Sequence, residues 1–135
     1  MEKPTILMLE PDDADRFITR IFFKDHNFDA DIQFVSTSGE FFDSLNSNDK
    51  IPSIILLNMH AVPVDAPGIL QKLKSSKEWA HIPVIILSGS KDSRLIKECY
   101  RSGASSFIQK PDNEPDTNHK VLNFIKYWFE TVELP

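Results

Sequence analysis

Short apolar runs alternate with stretches of helical periodicity along the whole chain. Residues 5–9 form the first run. Asp12 and Asp13 follow as helix-starting acids, and Phe17, Ile18, Ile21 and Phe22 then recur at the spacing of one helix face. Residues 32–35 form a second run. Behind it, Thr37 with Glu40 three positions on has the form of a capping box, opening a helix that carries Phe41, Phe42 and Leu45. Residues 54–57 are apolar without a break, the mark of a strand buried on both faces of a parallel sheet. Ile69, Leu70 and Leu73 return to helical spacing. Residues 83–87 repeat the buried-strand pattern, and Leu95, Ile96, Cys99 and Tyr100 repeat the helical one. After the short run 106–108, the polar stretch 112–118 reads as a loop. The last helix carries Val121, Leu122, Phe124, Ile125, Trp128, Phe129 and Val132.

Strands and helices thus alternate strictly, which predicts a doubly wound α/β sheet with helices on both faces. The chain has no internal repeat, linker or low-complexity tract, so 1–135 is expected to form one domain. Asp65, with Pro67 and Gly68 behind it, reads as a helix cap.

Composition narrows the function. With 41% hydrophobic and 26% charged residues the 135-residue chain is globular in character, and its net charge of -5 argues against holding a nucleic-acid backbone. Cys99 is the only cysteine, which excludes an internal disulfide or a thiolate metal cage. The four histidines, His26, His60, His81 and His119, lack metal-ligand spacing. The start at Met1, Glu2, Lys3 and Pro4 has none of the features of a signal peptide, and the apolar runs are far shorter than the ~20 residues that span a bilayer. A cytoplasmic protein is expected.

In open α/β sheets, ligands bind beyond the carboxyl ends of the strands. Here those ends lead into Glu10, Pro11, Asp12 and Asp13, into Asn58, Met59 and His60, into Ser88, Gly89 and Ser90, and into Lys110 and Pro111. An acid, an amide, a hydroxyl and an ammonium would converge on one crevice. Residues 6–10, 52–58, 83–88 and 103–111 carry these groups in the order found in one family. The chain resembles the receiver domains of two-component response regulators along almost its whole length.

That resemblance implies a flavodoxin-like five-stranded parallel sheet of order 2-1-3-4-5 with five helices. It also implies a phosphotransfer pocket. In receivers an acidic pair after the first strand holds Mg²⁺, and an aspartate after the third attacks a phosphodonor. A hydroxyl and a lysine then receive the phosphoryl group. By position Ser88 keeps the hydroxyl role and Lys110 the ammonium role, and Phe107 stands at the aromatic that changes rotamer on activation. The Lys110–Pro111 bond is where the family often places a cis peptide.

Two departures decide the reading. Asn58 occupies the phosphoacceptor position, and a carboxamide has no anionic oxygen with which to attack phosphorus. Pro11 replaces the second acid. Mg²⁺ takes oxygen ligands, usually with one or two carboxylates among them, so Glu10 and Asp12 are left as weak candidates and no high-affinity metal site is expected. His60 would offer a ligand only through its backbone carbonyl. For Asp12 and Asp13, capping the following helix is the preferred role, whereas Glu10 at a strand exit belongs to the pocket. Opposite an uncharged Asn58, Lys110 is expected to pair with Glu10, replacing the bond that receivers make to their aspartate.

A pseudo-receiver is therefore expected, one that binds a histidine kinase, another receiver or an output protein without phosphate. Its contact face, also the route to a homodimer, would be the fourth helix, fifth strand and fifth helix. Since the chain ends just after its last helix, no output domain is expected. The Phe124, Trp128 and Phe129 stripe is read mainly as core, with room for one member to face a partner. A kinase-binding competitor within a phosphorelay is the alternative. A cofactor-binding or hydrolytic α/β enzyme is less favoured: the first loop has no anion cradle, and no catalytic triad is visible.

Overall fold

The computed structural model describes residues 3–47 and 50–135; Met1 and Glu2, read above for a leader, lie outside them. Strands β1 (Thr5–Leu9), β2 (Asp31–Val35), β3 (Ile54–Asn58), β4 (Val84–Ser88) and β5 (Ser106–Gln109) alternate with helices α1 (Asp13–Asp25), α2 (Ser38–Ser47), α3 (Ala66–Lys74), α4 (Ser93–Arg101) and α5 (Glu114–Ile125). The strands form one parallel sheet of order β2-β1-β3-β4-β5, as the resemblance implied. No helix among the described residues is long and apolar enough to cross a membrane.

Strand side chains alternate between faces. Leu7, Leu9, Ile55, Leu57, Val84 and Ile86 meet Phe41, Ile69, Leu70, Leu73 and Cys99 from α2, α3 and α4. Ile6, Met8, Ile54, Leu56 and Ile85 face the other way, against Phe23 of α1 and Phe124 and Ile125 of α5. Aromatic packing closes one end of this second layer: ring centroids lie 5.3 Å apart for Phe23–Phe28 and 4.7 Å apart for Phe28–Phe129. Phe129 and Trp128 therefore pack against the core.

Helix starts follow capping chemistry. Asp12 caps α1 by accepting the Asp15 N–H, and Asp65 caps α3 through the Gly68 N–H. At α2, Thr37 Oγ1 accepts the Glu40 N–H at 3.1 Å, while the Glu40 carboxylate reaches back to the Ser36 N–H at 2.9 Å. The expected capping box thus closes one residue further out. Gly103, with φ of 112°, turns the chain from α4 toward β5.

Four expectations need correction. The stretch 112–118 is mostly helical, because Asn113 caps α5 and Pro115 suits its first turn, so the polar residues from Glu114 onward are helix. The last helix does not run on to Val132 as an α-helix. It widens into a π-helical segment, Lys126–Thr131, and the Val132 N–H bonds five residues back to the Tyr127 carbonyl at 3.0 Å. Among the described residues the cis peptide is Val62–Pro63, and Lys110–Pro111 is trans. Finally, the periodic face of α1 divides: Phe22 is buried, but Phe17 is 64% exposed and Ile18 and Ile21 also face solvent.

Candidate functional site

The carboxyl end of β1 delivers Glu10 into the crevice between β3 and the loop after β5, where it is 1% exposed. A buried carboxylate is stable only when it is paired and hydrogen-bonded. Lys110 Nζ donates to Glu10 Oε1 at 2.6 Å. Glu10 Oε2 accepts from Asn58 Nδ2 at 3.2 Å and from the Asp12 N–H at 3.4 Å. The Glu10–Lys110 contact expected from the sequence is therefore made.

Asn58 uses both halves of its amide. Its Nδ2 serves Glu10, and its Oδ1 accepts the His60 N–H at 3.0 Å, turning the loop after β3. Asn58 thus both turns the loop and belongs to the pocket. His60 contributes that backbone N–H while its side chain is exposed. Ser88 is buried, and its Oγ accepts the Ser90 N–H at 3.1 Å. Its carbonyl accepts the Lys110 N–H at 2.7 Å, which fixes where the lysine leaves β5.

Pro11 is exposed at the rim, and Asp12 is turned to its capping role. Phe107 packs on the layer formed with α2, α3 and α4, and its N–H donates to Tyr100 Oη at 3.1 Å. That bond ties the exposed edge of β5 to α4.

Two members of the site were not foreseen. Asp15 Oδ2 accepts from Lys110 Nζ at 3.2 Å, giving the lysine a second acid. Arg16 Nε donates to the Glu10 carbonyl at 2.6 Å, and its Nη2 donates to Ser36 Oγ. Both lie on the first turns of α1, one helical turn beyond Asp12. Their position relative to the strand ends depends on how α1 packs, which linear spacing does not express. Burial by itself would lower the pKa of Lys110, but the hydrogen bond and charge of Glu10, then those of Asp15, outweigh it and hold the pKa above its usual 10.5.

Among the described residues there is no cluster of three or more His, Cys, Asp and Glu side chains that would hold a metal ion. The donors that approach Glu10 are an ammonium, an amide NH₂ and a backbone N–H. Together they fill three of the carboxylate's roughly four lone-pair directions.

A family model for the response regulator receiver domain matches residues 6–122. Response regulator Rcp1 of Synechocystis sp. is 25% identical over 96% of this chain and 92% of its own length. The two-component response regulator ORR13 of Oryza sativa subsp. japonica is 27% identical over 93% of this chain and 100% of its own. Among solved structures, the response regulator RPA3017 in red light signaling of R. palustris superposes with a TM-score of 0.90 at 27% identity, covering 98% of each chain.

Proposed function

Since this chain belongs to the response regulator receiver domains of two-component signalling, we propose that it is a pseudo-receiver that signals by binding proteins without accepting phosphate. Receiver domains work with histidine kinases and output proteins, and this one is read as keeping such partners while losing the covalent step. It is not an enzyme in this reading.

The observation that carries the proposal is the double use of the Asn58 amide. An aspartate in its place would set a second carboxylate about 3.2 Å from Glu10 Oε2, and like charges that close need a cation between them. Asn58 supplies an N–H instead, so the crevice is neutralised from within. The donor set consequently does not fit Mg²⁺: Glu10 is surrounded by N–H groups, Pro11 has no ligand to offer, and Asp12 is capping α1.

The face formed by α4, β5 and α5 is the proposed contact surface, for a partner protein or for a second copy. The half-exposed Tyr100, bonded to the backbone of Phe107, stands at its centre. A second reading, the kinase-binding competitor, is favoured by a different feature. The exposed Phe17, Ile18 and Ile21 lie on the same helix that brings Asp15 to Lys110, so a partner directed to the strand ends would meet them.

Intact-mass measurement after incubation with Mg²⁺ and a small acyl phosphate tests the proposal. The natural chain should gain no phosphoryl mass. A gain by Asn58→Asp alone would identify the amide as the main lesion, and no gain would implicate Pro11 as well. Phosphoryl mass on the natural chain would overturn the reading.

A further inference from the structure

The layer under α1 and α5 is left open toward the carboxyl ends of the strands. The first half of α5 reads Glu114, Pro115, Asp116, Thr117, Asn118, His119 and Lys120, with no large apolar side chain before Val121 to lay over the sheet. Leu87 and Ile108, on adjacent strands β4 and β5, consequently keep partial exposure. The result is a cavity of about 220 Å³ floored by Leu56, Leu87 and Ile108 and walled by Ile18, Phe22 and Val121. Apolar cavities of ~150 Å³ hold benzene. This one has room for a bicyclic aromatic or for an aliphatic tail of roughly eight to ten carbons.

Glu10, Asp15, Lys110 and Lys120 supply the charged part of the cavity's lining. An ammonium has three N–H donors. Lys110 directs two at Glu10 and Asp15, and Lys120 directs one at the Gln109 carbonyl at 2.7 Å. One donor on Lys110 and two on Lys120 have no protein acceptor among the described residues. Glu10 already receives three donors. Lys120, unlike Lys110, has no carboxylate partner among the described residues, and the ligand group that matches it is an anion.

We propose that this cavity binds a small amphipathic carboxylate, an aromatic or short-chain aliphatic acid. Its tail lies on Leu87 and Ile108, and its carboxylate accepts from Lys120 and Lys110. The site adjoins the contact surfaces proposed above through Ile18, Ile108 and Val121, and it holds whether or not Asn58 blocks phosphorylation. Occupancy would draw Lys110 toward the ligand and away from the half-exposed Asp15, at the longer of its two contacts.

The test titrates 1-naphthoate and octanoate into the isotope-labelled full chain, with 1-naphthalenemethanol as the uncharged control. Methyl resonances of Leu87, Ile108 and Val121 and calorimetry are followed together. Saturable shifts confined to those methyls are expected, with the acid bound about tenfold more tightly than the alcohol. Lys120→Gln, a change at a partly exposed helix position, should remove about that tenfold for the acid and leave the alcohol unaffected. Val121→Trp should fill the cavity and abolish both, its fold being checked by the amide spectrum. Equal affinity for acid and alcohol, unchanged acid binding in Lys120→Gln, or shifts that do not saturate or that fall elsewhere would each overturn the proposal.

Discussion

The two faces of the sheet are built from the same strands yet packed differently. Three helices cover one face, and of the apolar sheet residues that α2, α3 and α4 meet, all but Phe107 on the edge strand are closed to solvent. Two helices cover the other, where Ile6, Met8, Ile54, Leu56 and Ile85 are closed but Ile32, Phe34, Leu87 and Ile108 stay partly exposed. Leu87 and Ile108 border the cavity beside the Glu10–Lys110 pair. A fully packed face holds the strand ends in place, and a partly packed one leaves room beside them for a ligand and lets the Lys110 side chain move. Stability should therefore be concentrated on one side of the sheet and responsiveness on the other.

The largest contrast should appear when the same side chain is truncated on each face. Leu70, fully buried on α3, would leave a cavity that its neighbours cannot collapse into, and Leu70→Ala should lose about 4 kcal/mol. Leu87→Ala only enlarges a space that is already open, and should lose about 2 kcal/mol. Urea denaturation of both variants measures the difference. Equal losses would mean that the open face is as tightly packed as the closed one.

The closed face was the more legible of the two in the sequence. The unbroken runs 54–57 and 83–87 and the triplet Ile69, Leu70 and Leu73 announce burial on both sides, and the structure buries all of them except Pro83 and Leu87, which stay partly exposed. Glu10, Asn58, Ser88 and Lys110 were legible because strand ends converge by topology, whatever the helices do. What escaped depends on helix placement. Asp15 and Arg16 look like any other charges in the first turns of a helix, and only the docking of α1 brings them to Lys110 and to the Glu10 carbonyl. Phe17, Ile18 and Ile21 have the period of a buried stripe, but periodicity does not say whether anything lies opposite. The polar start of α5 has the composition of a loop because Pro115 and its acids resemble a turn, although Asn113 before them is an N-cap.

A smaller contrast concerns access. Cys99 lies on the closed face, and burial, then the charges of Glu98 and Asp65, push its pKa from 9.0 up to about 11. Around pH 8 that shift alone lowers the thiolate fraction roughly a hundredfold relative to the unfolded chain. Native protein should therefore react with a thiol reagent at least that much more slowly than protein in urea. In Val121→Cys, the introduced thiol on the open face should react promptly. The shift also gives the sign of the pH effect. The folded state holds the thiol proton more tightly, so the stability it confers is complete below about pH 9 and is lost as pH rises toward 11. Fast labelling of native Cys99 would show that the closed face opens readily.

The smallest contrast lies at the edge of the open face, where a buried acid meets a lysine that is 29% exposed. Removing one partner of a fully buried pair costs ~3–5 kcal/mol, because the other is left charged and dry. Here the cavity admits solvent, and Asn58 Nδ2 and the Asp12 N–H still serve Glu10. Lys110→Met should accordingly lose only about 2 kcal/mol. Adding Glu10→Gln should recover about half of that loss, since no uncompensated charge is left behind. Because the folded pKa of Lys110 is raised above 10.5, the pair's contribution is complete through neutral pH and is lost only as pH climbs past that value. Denaturation midpoints of the single and double variants at pH 7 separate these effects. A loss in Lys110→Met that adding Glu10→Gln leaves undiminished would assign the lysine's role to the packing of its methylenes, and the open face would then differ from the closed one in shape alone.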